Sequence, residues 1–185
     1  MKIIHQDNLD EKFVSSKEGF SGRLLKVKVD TVVLPNGKES TREIIRHPGA
    51  VAIIPVLEDG RIALVKQYRY PIGTVLYEIP AGKLEGKEDH EACAIRELSE
   101  ETGFEATSME YLTGVVTTPG FTDEIIYLYV ATGLVKKQQH TDEDEFIDIE
   151  LFTEEKIKEM IIDEELFDSK SLSALLLYFL KKRTI

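Results

Sequence analysis

Residues 82–104, GKLEGKEDHEACAIRELSEETGF, constrain this chain more than any other stretch. Gly82, Glu88, Arg96, Glu97, Glu100, Glu101 and Gly103 stand at the offsets G-x5-E-x7-R-E-U-x-E-E-x-G-U, with Leu98 and Phe104 at the bulky apolar positions. Read as a helix over 87–102, the segment puts Glu97, Glu100 and Glu101 at i, i+3 and i+4, neighbours with Cβ atoms roughly 5–6 Å apart. Ala92, Ile95 and Leu98 fall on the other side, where they can dock on a sheet. Gly103 suits a left-handed cap at the helix end. Carboxylates this close repel one another unless a counter-charge is present. They are also oxygen ligands of the kind hard divalent cations prefer. Arg96, one turn before Glu100, can orient or partly neutralise the group. A solvated acidic face would account for the glutamates but not for Gly82, Arg96 and Gly103 at fixed offsets.

Composition narrows the function. The chain has 185 residues, a length that suits one domain with a small addition, and 42% of them are hydrophobic, enough for a core. A formal net charge of −11 argues against nucleic acid, whose phosphates need clustered Lys and Arg. The same charge is awkward for any phosphate substrate unless cations sit on the glutamates. Cys93 is the only cysteine, which excludes an internal disulfide, and its apolar neighbours mark it as a packing residue. The start MKIIHQDNLDEKF lacks an apolar run after a basic segment, and no stretch approaches a membrane span, so a cytoplasmic protein is expected. The histidines (His5, His47, His90, His140) have no ligand spacing, and His90 is expected to be exposed.

Along the chain, residues 1–46 read as a β-rich subdomain. Extended runs flank Pro35-Asn36-Gly37, a hairpin signal. In the first run Val27, Val29 and Thr31 alternate with Lys28, Asp30 and Val32, as in a half-exposed sheet. His47-Pro48-Gly49 marks a boundary, and 47–185 form the main domain. AVAIIPVL and RIALVKQYR are expected to form a hairpin across Glu58-Asp59-Gly60. VLYEIPAG, MEYLTGVVTTPG and EIIYLYVATGL read as strands. HTDEDEFIDIELFT begins as an acidic loop and ends in a strand. TEEKIKEMII reads as a helix capped by Thr153. A last helix from about Ser169 to Lys182 carries Leu172, Leu175, Leu176, Phe179 and Leu180 as its apolar stripe. Strands mixed with helices indicate an α/β or α+β class.

The 82–104 pattern resembles the signature of the Nudix hydrolases at every position. That resemblance implies an α/β/α sandwich with a mixed sheet, the motif lying beside it as loop-helix-loop. Pro119 in TTPGFTDE, fifteen residues after Phe104, with REIIRHPGAVAIIPV, VKQYRYP and YEIPAGKLEG, is similar to the ADP-ribose pyrophosphatase branch. The resemblance covers most of 20–180 and implies Mg²⁺-dependent hydrolysis of the ADP-ribose (or ADP-sugar) diphosphate to AMP and ribose 5-phosphate, with Mn²⁺ as a substitute metal. It carries the metal to Glu97, Glu100, Glu101 and the backbone carbonyl of Ala81. Catalytic roles fall to Glu97, Glu101 and Arg96. In the acidic loop 141–145, Glu143 matches the general base and Glu145 an extra metal ligand, and the two could be exchanged. Arg69, Arg46, Glu124 and Glu78 match substrate-binding positions, and Tyr70 or Phe20 could stack on the adenine. Related enzymes are homodimers joined through their N-terminal strands, so the same is expected of residues 1–46. The competing readings are another substrate (NADH, GDP-mannose, a dinucleoside polyphosphate, a modified nucleoside triphosphate) or a module that binds ADP-ribose without cutting it.

Overall fold

The structure is a computed structural model that describes residues 8–139 and 146–182. The chain divides into two compact units, Met1–His47 with Thr118–Glu124, and Pro48–Thr117 with Ile125–Ile185.

The first unit is an antiparallel sheet of β1 (Lys12–Ser21), β2 (Lys26–Val33) and β3 (Glu39–Ile45) in that order. The Asn-Gly turn forms as expected: Gly37 has φ 81°, Leu34 N–H donates to the Lys38 carbonyl at 2.8 Å, and Lys38 N–H donates to Asn36 Oδ1 at 3.0 Å. The alternation in β2 does not divide it cleanly into wet and dry faces. Lys28 is exposed, but Asp30 and Val32 are its most buried residues, and Val27, Val29 and Thr31 are half-buried. Every residue of β1 is exposed. Residues 118–124 join this unit because Ile45 N–H donates to the Phe121 carbonyl at 2.7 Å and Ile45 bridges Thr122.

The second unit holds β4 (Ala50–Pro55), β5 (Ile62–Arg69), β6 (Thr74–Glu78), β7 (Ala81–Lys83), α1 (His90–Thr102), β8 (Phe104–Val116), β9 (Ile125–Lys136), β10 (Ile147–Phe152), α2 (Glu154–Ile162) and α3 (Ser169–Lys182). One sheet runs β7-β4-β9-β8 and is mixed, since β4 and β9 are parallel. A second, antiparallel sheet runs β10-β5-β6. All of β4 is buried, as befits a strand covered on both faces. Its side chains alternate between two cores. Val51 and Ile53 pack with Cys93, Ala94 and Leu98 of α1. Ala52 and Ile54 pack with Ile157 and Met160 of α2 and with Leu175 and Phe179 of α3. This is the α/β/α sandwich with a mixed sheet.

Three expectations need correction. The Glu58-Asp59-Gly60 turn exists, with Leu57 N–H on the Arg61 carbonyl at 2.9 Å, but beyond the Val56–Ile62 bridge β4 and β5 diverge into different sheets. On α3 the buried residues are Ser171, Ala174, Leu175 and Phe179, whereas Leu176 and Leu180 are 46% and 62% exposed. On α1 the docked residues are Cys93, Ala94 and Leu98; Ala92 is exposed and Ile95 is 46% exposed. The apolar stripe of α1 is rotated because its small residues, not Ile95, allow close approach to the sheet.

Candidate active site

α1 starts three residues later than the pattern suggested, because Asp89 caps it: the Asp89 carboxylate accepts from Glu91 N–H at 2.9 Å. Gly103 ends it in the left-handed region at φ 64°, donating to the Ser99 carbonyl at 2.9 Å. With Cys93, Ala94 and Leu98 fixed against the sheet, the glutamates are turned toward β7. The Glu97 carboxylate lies over Gly82, where any Cβ would overlap it. That contact explains the glycine. Glu101 is 5% exposed and its carboxylate accepts from Ala81 N–H at 3.0 Å. Glu100 is the most open, its side chain 43% exposed.

Arg96 ties the group together. Its Nε and Nη2 donate to the two oxygens of Glu88, each at 3.0 Å, and its Nη1 donates to Glu97 and to Glu100, each at 2.8 Å. The Arg96 guanidinium, chiefly by hydrogen bonding, holds the Glu88 carboxyl down to about 2. Burial, reinforced by the Glu88 carboxylate, pushes the Cys93 thiol up to about 12, which makes it inert as a nucleophile. Among the described residues no three side chains of His, Cys, Asp or Glu converge as a ready metal cage. Arg96 and Ala81 N–H hold the glutamates in their present poses. The donors Glu97, Glu100, Glu101 and the Ala81 carbonyl are nonetheless all oxygen, which fits a hard divalent cation.

A second charged group adjoins this one. Arg69, at the end of β5, grips Glu78 with Nε on Oε1 at 2.6 Å and Nη2 on Oε2 at 2.8 Å. Glu78 is 1% exposed and also accepts from Lys170 Nζ. Burial pushes the Glu78 carboxyl up, but the Arg69 and Lys170 bonds outweigh it and leave it below the ordinary range. Glu78 ends β6 three residues before Ala81, whose N–H donates to Glu101, and the Arg69 guanidinium pKa is raised chiefly by its bonds to Glu78 and in part by the charges of Glu101 and Asp168.

The structure therefore brings Glu97, Glu100, Glu101, Arg96 and Ala81 together, with Arg69 and Glu78 beside them. Arg46 and Glu124 belong to the first unit. There Arg46 pairs with Asp123 at 2.9 Å and His47 Nε2 lies 3.5 Å from Glu124. Pro119 is exposed in the 118–122 turn, where Phe121 N–H and Thr122 N–H both donate to the Thr118 carbonyl. Tyr70 is 85% exposed, and Phe20, on β1, is 58% exposed. Glu143 and Glu145 lie outside the described residues.

Sequence reasoning missed two features. His90 is half-buried rather than exposed: its ring stacks on Tyr127 at 4.3 Å and its Nδ1 bonds the Tyr129 hydroxyl. Lys170 and Asp168 were also missed. An acid directly before a helix could have flagged Asp168 as a cap, but no local signal links Lys170 to a carboxylate on a distant strand.

Comparison with known proteins follows the same lines. Residues 46–175 match the NUDIX domain, and residues 11–45 match the nucleoside diphosphate sugar hydrolase N-terminal domain. The chain is 49% identical over 167 residues to the methanol dehydrogenase activator of Bacillus methanolicus, covering 89% of this chain and 90% of that one. It is 42% identical over 170 residues to the ADP-ribose pyrophosphatase of Bacillus subtilis (strain 168), covering 91% and 92%. A crystal structure of an ADP compounds hydrolase superposes with a TM-score of 0.86 at 22% identity, over 97% of this chain and 98% of the other, a likeness of fold. Among the described residues no helix is long and apolar enough to cross a membrane.

Proposed function

The chain belongs to the Nudix hydrolase family, and from that premise we propose that it cleaves the diphosphate of ADP-ribose and related ADP-sugars, giving AMP and ribose 5-phosphate. The observation that carries this reading is the junction of two groups. The α1 glutamates are packed against β7, and Glu78, the carboxylate that Arg69 grips, ends β6 three residues before Ala81, whose N–H donates to Glu101. The 42% identity to a protein named ADP-ribose pyrophosphatase supports the substrate.

Glu97, Glu100, Glu101 and the Ala81 carbonyl, with Glu145, would hold Mg²⁺, or Mn²⁺ in its place, which supplies polarisation of the diphosphate and an acidified water. Arg69 offers a guanidinium fork suited to phosphate oxygens. Arg96 restrains Glu97 and Glu100 so that they do not splay apart. Glu143 takes the proton from the attacking water. Glu78 acts on the substrate by holding Arg69 rather than by touching it, because it is buried and already bonded to two cations. Arg46 and Glu124 are assigned to substrate by family resemblance alone. Residues 1–46 are assigned to a homodimer contact; a monomer by light scattering at working concentration overturns that assignment.

A second reading comes from the Bacillus methanolicus relative, whose name describes activation of a methanol dehydrogenase. Nicotinamide-dependent dehydrogenases use dinucleotides whose diphosphate joins two riboses, as in ADP-ribose, so the same site could act on NADH. The test is incubation with ADP-ribose, with and without Mg²⁺, and separately with NADH, followed by chromatography for AMP. Metal-dependent AMP from ADP-ribose is the expected result. Cleavage of NADH alone moves the substrate assignment, and binding of ADP-ribose without cleavage moves the protein to the sensor class.

A further inference from the structure

We propose that Lys170, on the first turn of α3, is a positioning residue that acts through Glu78 to hold Arg69 in its substrate-facing pose. The inference rests on the assignment of Arg69 to the diphosphate.

A closed circuit of bonds carries it. Glu78 receives both Arg69 and Lys170 on one carboxylate. Lys170 Nζ donates on its other side to Asp168 Oδ2 at 3.0 Å. Asp168 is itself fixed as the cap of α3, accepting from Ser171 N–H at 3.0 Å and from Ser171 Oγ at 2.6 Å. Ser171 Oγ then accepts from Ile79 N–H at 2.9 Å, the residue next to Glu78. Both the side chain and the adjoining backbone of Glu78 are thus tied to one helix end.

Exposure is graded along this circuit. The side chains of Glu78, Lys170 and Arg69 are 2%, 12% and 40% exposed. The inner members are locked, and only the outer guanidinium is presented. A lone carboxylate at the position of Glu78 could rotate about its last bonds and carry Arg69 with it. A second cation on the same oxygen that Arg69 Nη2 uses removes that freedom. Preorganised donors bind an anion without first being ordered. Arg69 would grip the diphosphate alike before and during reaction, so its misplacement should appear in KM more than in kcat.

The experiment measures KM and kcat for ADP-ribose, and Kd by calorimetry, for wild type, Lys170→Met, Arg69→Ala and the double variant, with melting curves for each. Lys170→Met should raise KM and Kd about 10-fold, the scale at which supporting residues act, with kcat within about 2-fold. In the Arg69→Ala background the same change should add almost nothing, because its route of action is gone. Lys170→Arg, which keeps the cation, should recover most of the loss. Should Lys170→Met not fold, Asp168→Asn keeps the cap's shape while loosening Lys170 and carries the same KM prediction. An unchanged KM, or an equal increase with and without Arg69, overturns the proposal. If Arg69→Ala leaves KM unchanged while wild type still releases AMP, the Arg69 assignment fails and the function stands. A protein that neither binds nor cleaves ADP-ribose defeats both.

Discussion

The carboxylates of α1 and the carboxylate of β6 meet arginine in opposite proportions. Glu97 and Glu100 of α1, and Glu88 just before it, converge on the single guanidinium of Arg96, with Glu101 on the same helix. On β6, the single carboxylate of Glu78 receives two cations, Arg69 and Lys170. The first group is rich in anion and partly open, since Glu100 is 43% exposed; the second is cation-rich at its outer edge and sealed at its base. An anion-rich pocket on a chain of net charge −11 repels phosphate by itself and draws metal ions. In the other group the buried, satisfied carboxylate fixes geometry, and only the open guanidinium of Arg69 is presented to an anion. Set side by side, one group suits a divalent cation and the other the diphosphate that the cation neutralises.

The sharpest way to break this contrast is to remove one charge from the anion-rich side without disturbing its packing. Glu101→Gln does so, because the amide oxygen can still accept from Ala81 N–H while the ligand charge is lost. Losing several kcal/mol of charge stabilisation at the reacting diphosphate corresponds to about 100-fold or more in kcat. The melting temperature should stay near wild type. Unchanged turnover would remove Glu101 from the metal site.

Gly82→Ala tests the same side through geometry. The three atoms nearest a Cβ there all belong to the end of the Glu97 side chain, which can swing aside at little cost in folding. Activity should fall about 10-fold, on the scale seen when a ligand's support is disturbed, with little change in stability. Full activity would mean that the pose of Glu97 over Gly82 is not the working one.

The core of the anion-rich group was legible in the sequence because Arg96, Glu97, Glu100 and Glu101 lie on one helix at spacings that only a helix brings together. Arg96 on Glu100, the Gly103 cap, the Asn36-Gly37 hairpin, the Thr153 cap and the span of α3 are local features of the same sort. What failed was rotational or long-range. Ile95 looked like a core residue by period alone, yet Cys93 and Ala94 dock instead because small side chains let α1 approach β4 and β9 closely. The turn at Gly60 was legible, but the parting of β4 and β5 into different sheets depends on β9, far along the chain. The cation-rich group was only half visible. Arg69 and Glu78 were singled out separately by resemblance, and neither their mutual pairing nor the contribution of α3 has a local pattern. His90 was read as exposed because its partners, Tyr127 and Tyr129, come from a strand that no helical spacing reveals.

Gly103→Ala separates the role of this glycine from that of Gly82, although both belong to one motif. Gly103 sits at φ 64°, and a Cβ there would meet backbone, Gln139 N at 2.9 Å and the Lys137 carbonyl oxygen at 3.0 Å. Backbone cannot swing aside as the Glu97 carboxylate can. The left-handed conformation adds its own penalty for a side chain, so about 2 kcal/mol of stability should be lost. For a chain of this size that is a fall of roughly 4–8 °C in melting temperature. kcat measured well below the transition should fall much less than in Gly82→Ala. The reverse ranking, with Gly82→Ala unfolding and Gly103→Ala inactive but stable, would exchange the two roles.

The smallest effect probes how much the anion-rich group stabilises the fold. Glu88 has its folded pKa lowered to about 2 from an ordinary 4.5, chiefly by the hydrogen bonds from Arg96. A carboxylate lowered in this way adds stability that is complete above about pH 4.5 and is lost as pH falls through about 2. The pair is partly open to solvent, so its contribution should be below about 1 kcal/mol. Glu88→Gln should therefore melt slightly below wild type at pH 6, with the gap narrowing as pH falls from 4.5 and closing below about 2, where both proteins carry a neutral side chain at this position. Melting curves across that range in chelator-treated buffer measure the gap directly. A gap that stays constant with pH would show that Glu88 serves Arg96 through shape and packing rather than charge. The pairing of Arg96 with Glu97 and Glu100 would then have to account for all of the electrostatic restraint on this helix face.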